Sequence, residues 1–349
     1  MNILVTGGAG FQGSHLVEAL VRKGHFVRIL NTPSEHAKGN VRKYLARLIA
    51  DGHVELVWGS IVDRYLLDMC MKDIERVFHL AAKINVDESL KVPLDFLDIN
   101  VKGTENVLLA AASKKADMVY SSSCESYGDN LYGTAYILES ARKYKAELEV
   151  VSSAAIYGIG SKHKMDEYHP LCPASPYAAT KAAADRICFS YARSYGLPIK
   201  IVRPFNIFGP RQKESGFGAV VPMFFKQAMD AIGGPLKIFG NGKQTRDYLY
   251  IDDLVRAYLI IAECSDFNGK AVNVGSGVET SVNDIARTVN RLTGRPSDFI
   301  EHIPGRSGEV NSFVADTTLI ERFGFKPKIT FEEGMKLYYD WKREAQKCP

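Results

Sequence analysis

The feature that most constrains this chain is its opening, MNILVTGGAGFQGSHL, in which the apolar run Ile3 to Val5 meets Gly7, Gly10 and Gly13 and then an amphipathic segment. A strand that ends in such a turn hands the chain directly to a helix. The first glycine permits the tight turn, the second lets backbone approach an anion, and the third allows close helix–strand packing. The helix N–H groups then face that anion, which makes a dinucleotide pyrophosphate a better reading than a purely structural turn. The apolar run is too short for a signal peptide and lacks a basic leader. No stretch approaches the roughly 18 apolar residues of a membrane span. A cytoplasmic protein without a membrane partner is expected.

Beyond the turn, strand-like runs at Phe26 to Leu30, Val54 to Val57, Arg76 to Leu80, Met118 to Ser121, Leu148 to Ser152 and Ile199 to Val202 alternate with helix-period segments. Those segments are Gly13 to Arg22, Pro93 to Lys114, Leu131 to Lys145 and Pro176 to Tyr195. This alternation predicts an α/β fold, a Rossmann-type doubly wound parallel sheet covered by helices on both faces. After Arg203 the pattern becomes mixed and richer in Gly and Pro, with helices at Ile251 to Cys264 and Val282 to Leu292. The expected division is a dinucleotide-binding domain over 1–205 and a smaller mixed α/β substrate-binding portion over 206–349, with some segments returning to the first.

Composition narrows the partner. The 349 residues carry a net charge of +4, and 46% are hydrophobic and 24% charged, as in an ordinary soluble protein. The small basic excess is dispersed, so nucleic acid is not expected and a small ligand is. Six cysteines, at 70, 124, 172, 188, 264 and 348, form no CxxC pair and no zinc-like cluster. They read as reduced thiols, and no metal is expected.

One segment occurs twice. Residues 100–128, NVKGTENVLLAAASKKADMVYSSSCESYG, align without a gap on 130–158, NLYGTAYILESARKYKAELEVVSSAAIYG, at a constant offset of 30. The Gly-Thr at each helix start and the Ser-Ser and Tyr-Gly at each strand end make duplication a better reading than chance similarity. An extra helix–strand unit is therefore expected, and it accounts for the length without a larger second domain.

Three polar positions near the turn carry chemistry. Asn31 stands at the end of the second strand, where an acidic residue would bind the adenosine ribose; it can still hydrogen-bond a ribose, and it favours NAD over NADP only moderately. Asp63 is placed to reach the adenine amine or to serve as an ordinary turn residue. Tyr177 and Lys181, in SPYAATKAAAD, are spaced i, i+4 on one helix face. A lysine cation beside a phenol lowers its pKa and makes phenolate available as a base.

With these residues in view, the chain resembles the extended short-chain dehydrogenase/reductase family, and within it the NAD-dependent nucleotide-sugar epimerases and dehydratases. The motifs TGGAGFQGSH, HLAAK at 79–83, DINVKGT at 98–104, SSAAIYG at 152–158, SPYAATK at 175–181, RPFNIFGPRQ at 203–212 and TRDYLYIDD at 245–253 stand in the family's order. The resemblance implies an enzyme that removes hydride from C4 of a sugar to NAD, with Tyr177 as base and Lys181 as its pKa modulator and ribose ligand. It implies cofactor contacts from Gly7, Gly10, Phe11, Gln12, Gly13, Asn31, Ile61 and Asp63. Further contacts would come from Leu80, Ala81, Ala82, Lys83, Asn100 and Pro204. For a nucleotide-diphosphate sugar it implies Asn206, Arg246 and Arg306 at the phosphates, since guanidinium binds phosphate bidentately. Val221 and Ile238 would line the base pocket or belong to the core. A homodimer through the Pro93 to Lys114 and Pro176 to Tyr195 helices is also implied.

The family's sugar-binding serine can be Ser153 or Ser123, one from each copy. The second copy connects directly to Tyr177, and its Ser-Ala-Ala resembles sugar 4-epimerases. The first reads Ser123-Cys124-Glu125 and resembles dehydratases or decarboxylases, in which Glu125 would remove the C5 proton and Cys124 would assist loss of the C6 hydroxyl. A UDP-sugar 4-epimerase is the leading expectation and a dehydratase the alternative. A non-catalytic NAD-binding member with an occluded site is a third.

Overall fold

A computed structural model describes residues 1–83, 92, 94–95, 98–114, 116–120, 129–158, 164–214, 220–230, 233–305 and 312–347. The chain divides into two compact units. The first comprises Met1–Ser153, Pro176–Arg203 and Tyr258–Val272, and the second Ala154–Ser175, Pro204–Ala257 and Asn273–Pro349. Residues 154–175, expected in the dinucleotide-binding portion, cluster instead with the second unit. The chain leaves the first unit after Ser153 and re-enters it at Pro176, the start of a helix.

The main sheet is built from β1 (Asn2–Thr6), β2 (Phe26–Asn31), β3 (Val54–Trp58), β4 (Arg76–His79), β5 (Asp117–Tyr120), β6 (Leu148–Val151), β7 (Ile199–Pro204) and β11 (Ala271–Val274). These eight strands lie in the order β11-β7-β6-β5-β4-β1-β2-β3. Pairing from β3 through to β7 is parallel throughout. The strand interiors are nearly continuous Val, Ile and Leu because helices cover both faces of such a sheet. Ile3, Leu4, Val5, Val27, Ile29 and Leu30 are accordingly buried.

Both copies of the repeat are built into this sheet as neighbours. The first supplies helix α5 (Thr104–Ser113) and β5; the second supplies helix α6 (Asp129–Tyr144) and β6. Helix α6 packs against α5 on one side and against α7 (Pro176–Tyr195) on the other. Corresponding positions are buried alike, Leu108 with Leu138 and Ala111 with Ala141, in one shared core that also takes in Leu4, Val77 and Ile199. The copied unit therefore extends the sheet by a strand.

Two paired positions are not equivalent in their surroundings. Thr104 is hydrogen-bonded through its hydroxyl, whereas the buried Thr134 hydroxyl has no partner among the described residues. Val119 of β5 is in register with Glu149 of β6, and both oxygens of that buried carboxyl lack hydrogen-bond partners among the described residues. Burial raises the Glu149 carboxyl to about 8, against the opposing pull of Lys200 and Arg76.

The segment before β5 is not the uniform helix expected over Pro93 to Lys114. It is π-helical over Asp98–Gly103 before α5 begins. The widened turn brings Gly103 against Ile61, whose side chain would meet an added Cβ at 2.6 Å. In the second unit, β12 (Glu279–Ser281), β10 (Thr245–Tyr250) and β8 (Asn206–Phe208) form one small sheet. A second pairs β13 (Ile300–Ile303) with β9 (Leu236–Phe239).

Candidate active site

The glycine turn is fixed by its own backbone and by its neighbours. Gly7 adopts φ +74°, and an added Cβ would lie 2.8 Å from the Leu80 and Ala81 backbone, so the turn and the end of β4 touch. At Gly13 a Cβ would fall 2.2 Å from the Gly7 carbonyl oxygen. Gly10 differs, since among the described residues a Cβ there would approach only the Gly7 oxygen, at 3.1 Å, which leaves its backbone open. That open backbone stands at the start of helix α1 (Phe11–Arg22), whose first-turn amides Phe11, Gln12 and Gly13 lack carbonyl partners within the helix. The cradle suits the pyrophosphate of a dinucleotide.

Asn31, expected at a ribose, is hydrogen-bonded to the backbone on both sides. Its Oδ1 accepts from the Ala9 amide at 3.1 Å and its Nδ2 donates to the Thr32 carbonyl at 2.8 Å. Asp63, a candidate adenine ligand, caps the helix Arg64–Cys70, accepting from the Leu66 amide at 3.0 Å. Ile61 is buried in the sheet's core.

A chain of hydrogen bonds not anticipated from the sequence ties the end of β1 to the region of Lys83. Thr104 donates to the Asn100 carbonyl at 2.7 Å, so its oxygen receives the His79 Nε2 proton at 2.8 Å. His79 Nδ1 must then accept from Thr6 at 2.5 Å. Burial holds His79 down at about 3, so the ring is neutral, in the Nε2–H tautomer. Asn100 continues the chain: its Oδ1 accepts from Lys83 N–H at 2.9 Å and its Nδ2 donates to the Lys83 carbonyl at 3.1 Å. Leu80, Ala81 and Ala82 lie half-buried along this segment. The HLAAK motif carried the signal, but it gave no partner for the histidine.

Helix α7 carries Tyr177 and Lys181 one turn apart. The Lys181 side chain is buried, while that of Tyr177 lies outside the described part. The helix is anchored one turn further on, where Arg203 Nε and Nη2 donate to the two Asp185 oxygens at 2.9 and 2.8 Å, both side chains being fully buried. Burial alone would raise the Asp185 carboxyl, but the Arg203 and Arg186 guanidiniums hold it below its usual range. Ser153, half-buried, follows β6 in the same unit. Its neighbour Ser152 is buried, with a hydroxyl that has no hydrogen-bond partner among the described residues. Ser123, Cys124 and Glu125 lie outside the described residues, as does Arg306.

In the second unit, Asn206 on β8 is hydrogen-bonded to Tyr248 of β10, the strand that also carries Arg246. Arg246 Nη1 donates to the Thr245 carbonyl at 2.8 Å. The strand is pinned by buried Asp247, which accepts from the Ser276 amide and hydroxyl, both at 2.6 Å, and from the Gly277 amide at 2.8 Å. Val221 and Ile238 are fully buried, which fits a core place as well as a pocket wall. Tyr157, the end of the second copy, donates to Asn273 Oδ1 at 2.7 Å, and Asn273 in turn donates to the Met165 carbonyl at 2.8 Å. Pro204 ends β7. Among the described residues no His, Cys, Asp or Glu cluster could hold a metal.

The chain matches the GDP-mannose 4,6 dehydratase family over residues 4–132 and the NAD dependent epimerase/dehydratase family over 129–275. The two matches meet where the second copy begins. A putative UDP-glucose 4-epimerase of Methanocaldococcus jannaschii is 33% identical over 340 residues, 97% of each chain. A UDP-N-acetyl-alpha-D-glucosaminuronate decarboxylase of Bacillus cytotoxicus is 33% identical, covering 98% of each. Among solved structures, the UDP-glucose 4-epimerase of Thermotoga maritima with UDP-glucose is 30% identical, with a TM-score of 0.74 over 99% of this chain and 100% of that one. The chain belongs to the NAD dependent epimerase/dehydratase family. It is an NAD-using enzyme, and the glycine cradle, Lys83 segment and buried Lys181 are residues that fit that cofactor.

Proposed function

We propose that this enzyme is a nucleotide-sugar 4-epimerase acting on a UDP-hexose through a transient 4-keto sugar. The observation that carries the reading is the chain path at the end of the second copy. Ser153 leaves β6, the small Ala154 and Ala155 follow, Tyr157 is fastened to Asn273, and the chain re-enters the first unit as the helix bearing Tyr177 and Lys181. In this reading Tyr177 takes the proton of the sugar 4-hydroxyl, and the buried Lys181 cation favours its phenolate. Ser153 donates to the sugar oxygen. Arg246, Arg306 and Asn206 hold the diphosphate. Bound NAD supplies the hydride acceptor and donor.

A second reading, a dehydratase using Glu125 and Cys124, is favoured by one feature: β5, not β6, is the strand beside β4. Incubation with UDP-glucose, UDP-N-acetylglucosamine and their uronic acids, with mass detection of the products, separates the two. An isobaric product supports epimerisation, loss of one water marks dehydration, and no product from any of them refutes both. Ser153→Ala should lower kcat by about two to four orders of magnitude, as loss of a positioned transition-state hydrogen-bond donor or proton-transfer group does. Ser123→Ala should leave it unchanged, and the reverse pattern transfers the site to the first copy.

A further inference from the structure

The two successive peptides that flank Ala9, in the middle of the glycine turn, are each held by an asparagine from a different element. The Ala9 amide is taken by Asn31 at the end of β2. The Ala9 carbonyl accepts from Asn40 Nδ2 at 2.8 Å. Asn40 closes the short helix Glu35–Asn40, is buried, and lies 31 residues from the group it binds. Its remaining amide proton points to His36 Nε2 at 3.3 Å, which must accept because an NH₂ group can only donate. Elsewhere in the turn, Gly7 N donates to the Leu30 carbonyl of β2 at 2.9 Å, Gly10 N to the Gly7 carbonyl at 2.9 Å and Ser14 N to the Gly10 carbonyl at 3.1 Å.

We propose that Asn40 is a positioning residue for the cofactor's diphosphate. The Ala9 amide belongs to the Gly8–Ala9 peptide plane, which Asn31 holds, whereas the Ala9 carbonyl belongs to the Ala9–Gly10 plane, whose own N–H donates to the Gly7 carbonyl. A plane bonded at both its N–H and its C=O resists rotation about its Cα–Cα axis, and rotation of the Ala9–Gly10 plane is the motion that would swing Gly10 and the first amides of α1 away from an anion. Without Asn40 the carbonyl end of that plane would be free to tilt. Asn40 therefore acts through Ala9 without touching the ligand, and its contribution is specific to ligands that carry a diphosphate. No such role attaches to the adenosine end.

The test compares three probes, NAD⁺, ADP and adenosine, by calorimetric or ligand-observed titration of the full-length protein and two variants. Asn40→Ala removes the side chain. Asn40→Asp keeps its size and replaces the donor with an oxygen that cannot bond to the Ala9 carbonyl. Each variant should weaken NAD⁺ and ADP by about tenfold, the effect of losing one buried hydrogen bond, and leave adenosine unchanged. Equal weakening of adenosine and ADP means that Asn40 only supports the fold and overturns the proposal. So does unchanged ADP affinity in Asn40→Asp. Should Asn40→Ala fail to fold, the near-isosteric Asn40→Asp still decides the matter.

Discussion

Replacing Glu149 by valine, the residue at the matching position of the first copy, should stabilise the first unit and remove most of its sensitivity to pH in the neutral range. Burial keeps this carboxyl protonated up to about 8, whereas the unfolded chain releases the proton near 4.5. The folded value lies above the unfolded one, so the group's contribution is fully favourable below pH 4.5 and is lost as pH rises toward 8. Each tenfold preference is worth about 1.4 kcal/mol, and at pH 7 the gap from 4.5 spans about two and a half such steps, or about 3 kcal/mol. Lys200 and Arg76 oppose this loss and Glu147 adds to it, and all three remain in the variant. Urea unfolding at pH 5, 7 and 8, monitored by circular dichroism and by Trp58 fluorescence in a Trp341→Phe background, measures the effect. Wild type should fall behind Glu149→Val progressively, by about 3 kcal/mol at pH 7. A constant difference across that range would refute the buried-carboxyl account.

Excising residues 123–152, which joins Ser122 to Ser153, should leave a folded chain that binds NAD. It keeps the helix whose Thr104 is satisfied and discards the one whose Thr134 is not. In the shortened chain Asp117 takes the place of Glu147 beside Lys200. Far-UV circular dichroism with NAD titration checks this, and an unfolded product contradicts it. Asp185→Asn should cost about 3–5 kcal/mol in denaturant unfolding, because it leaves the Arg203 guanidinium buried against a neutral partner. The paired change Asp185→Leu, Arg203→Met should recover most of that loss.

The parts of this architecture that were legible in the sequence are those set by local pattern. The glycine turn, the alternation of strands and helices, and the i, i+4 placement of Tyr177 and Lys181 each depend on residues close together along the chain. The repeat was legible too, but not where it would go, because two copies with the same apolar periodicity fit the same slot equally well. Among the described residues, the unpartnered Thr134 and Glu149 distinguish them, and partners are a property of packing. Asn40 and His79 escaped for a related reason. Their bonds reach backbone or hydroxyl groups far along the chain, and nothing in either residue's surroundings in sequence names those groups. The departure of 154–175 from the first unit was likewise hidden, since Tyr157 announces itself only through Asn273, 116 residues away.

A parallel sheet grows by whole strand–helix units, and each right-handed crossover returns the chain to the same edge facing the same way. Inserting one such unit between β5 and β7 shifts all that lies beyond it by one strand spacing, about 4.8 Å, and inverts nothing. The sheet thus acts as a ruler graduated in strands. Between the glycine turn on β1 and the strand that anchors the Lys181 helix lie β4, β5 and β6, and the copied segment is one of those graduations. Lineages of this fold can alter the separation of two working groups in fixed steps while keeping both aimed at the same side of the sheet.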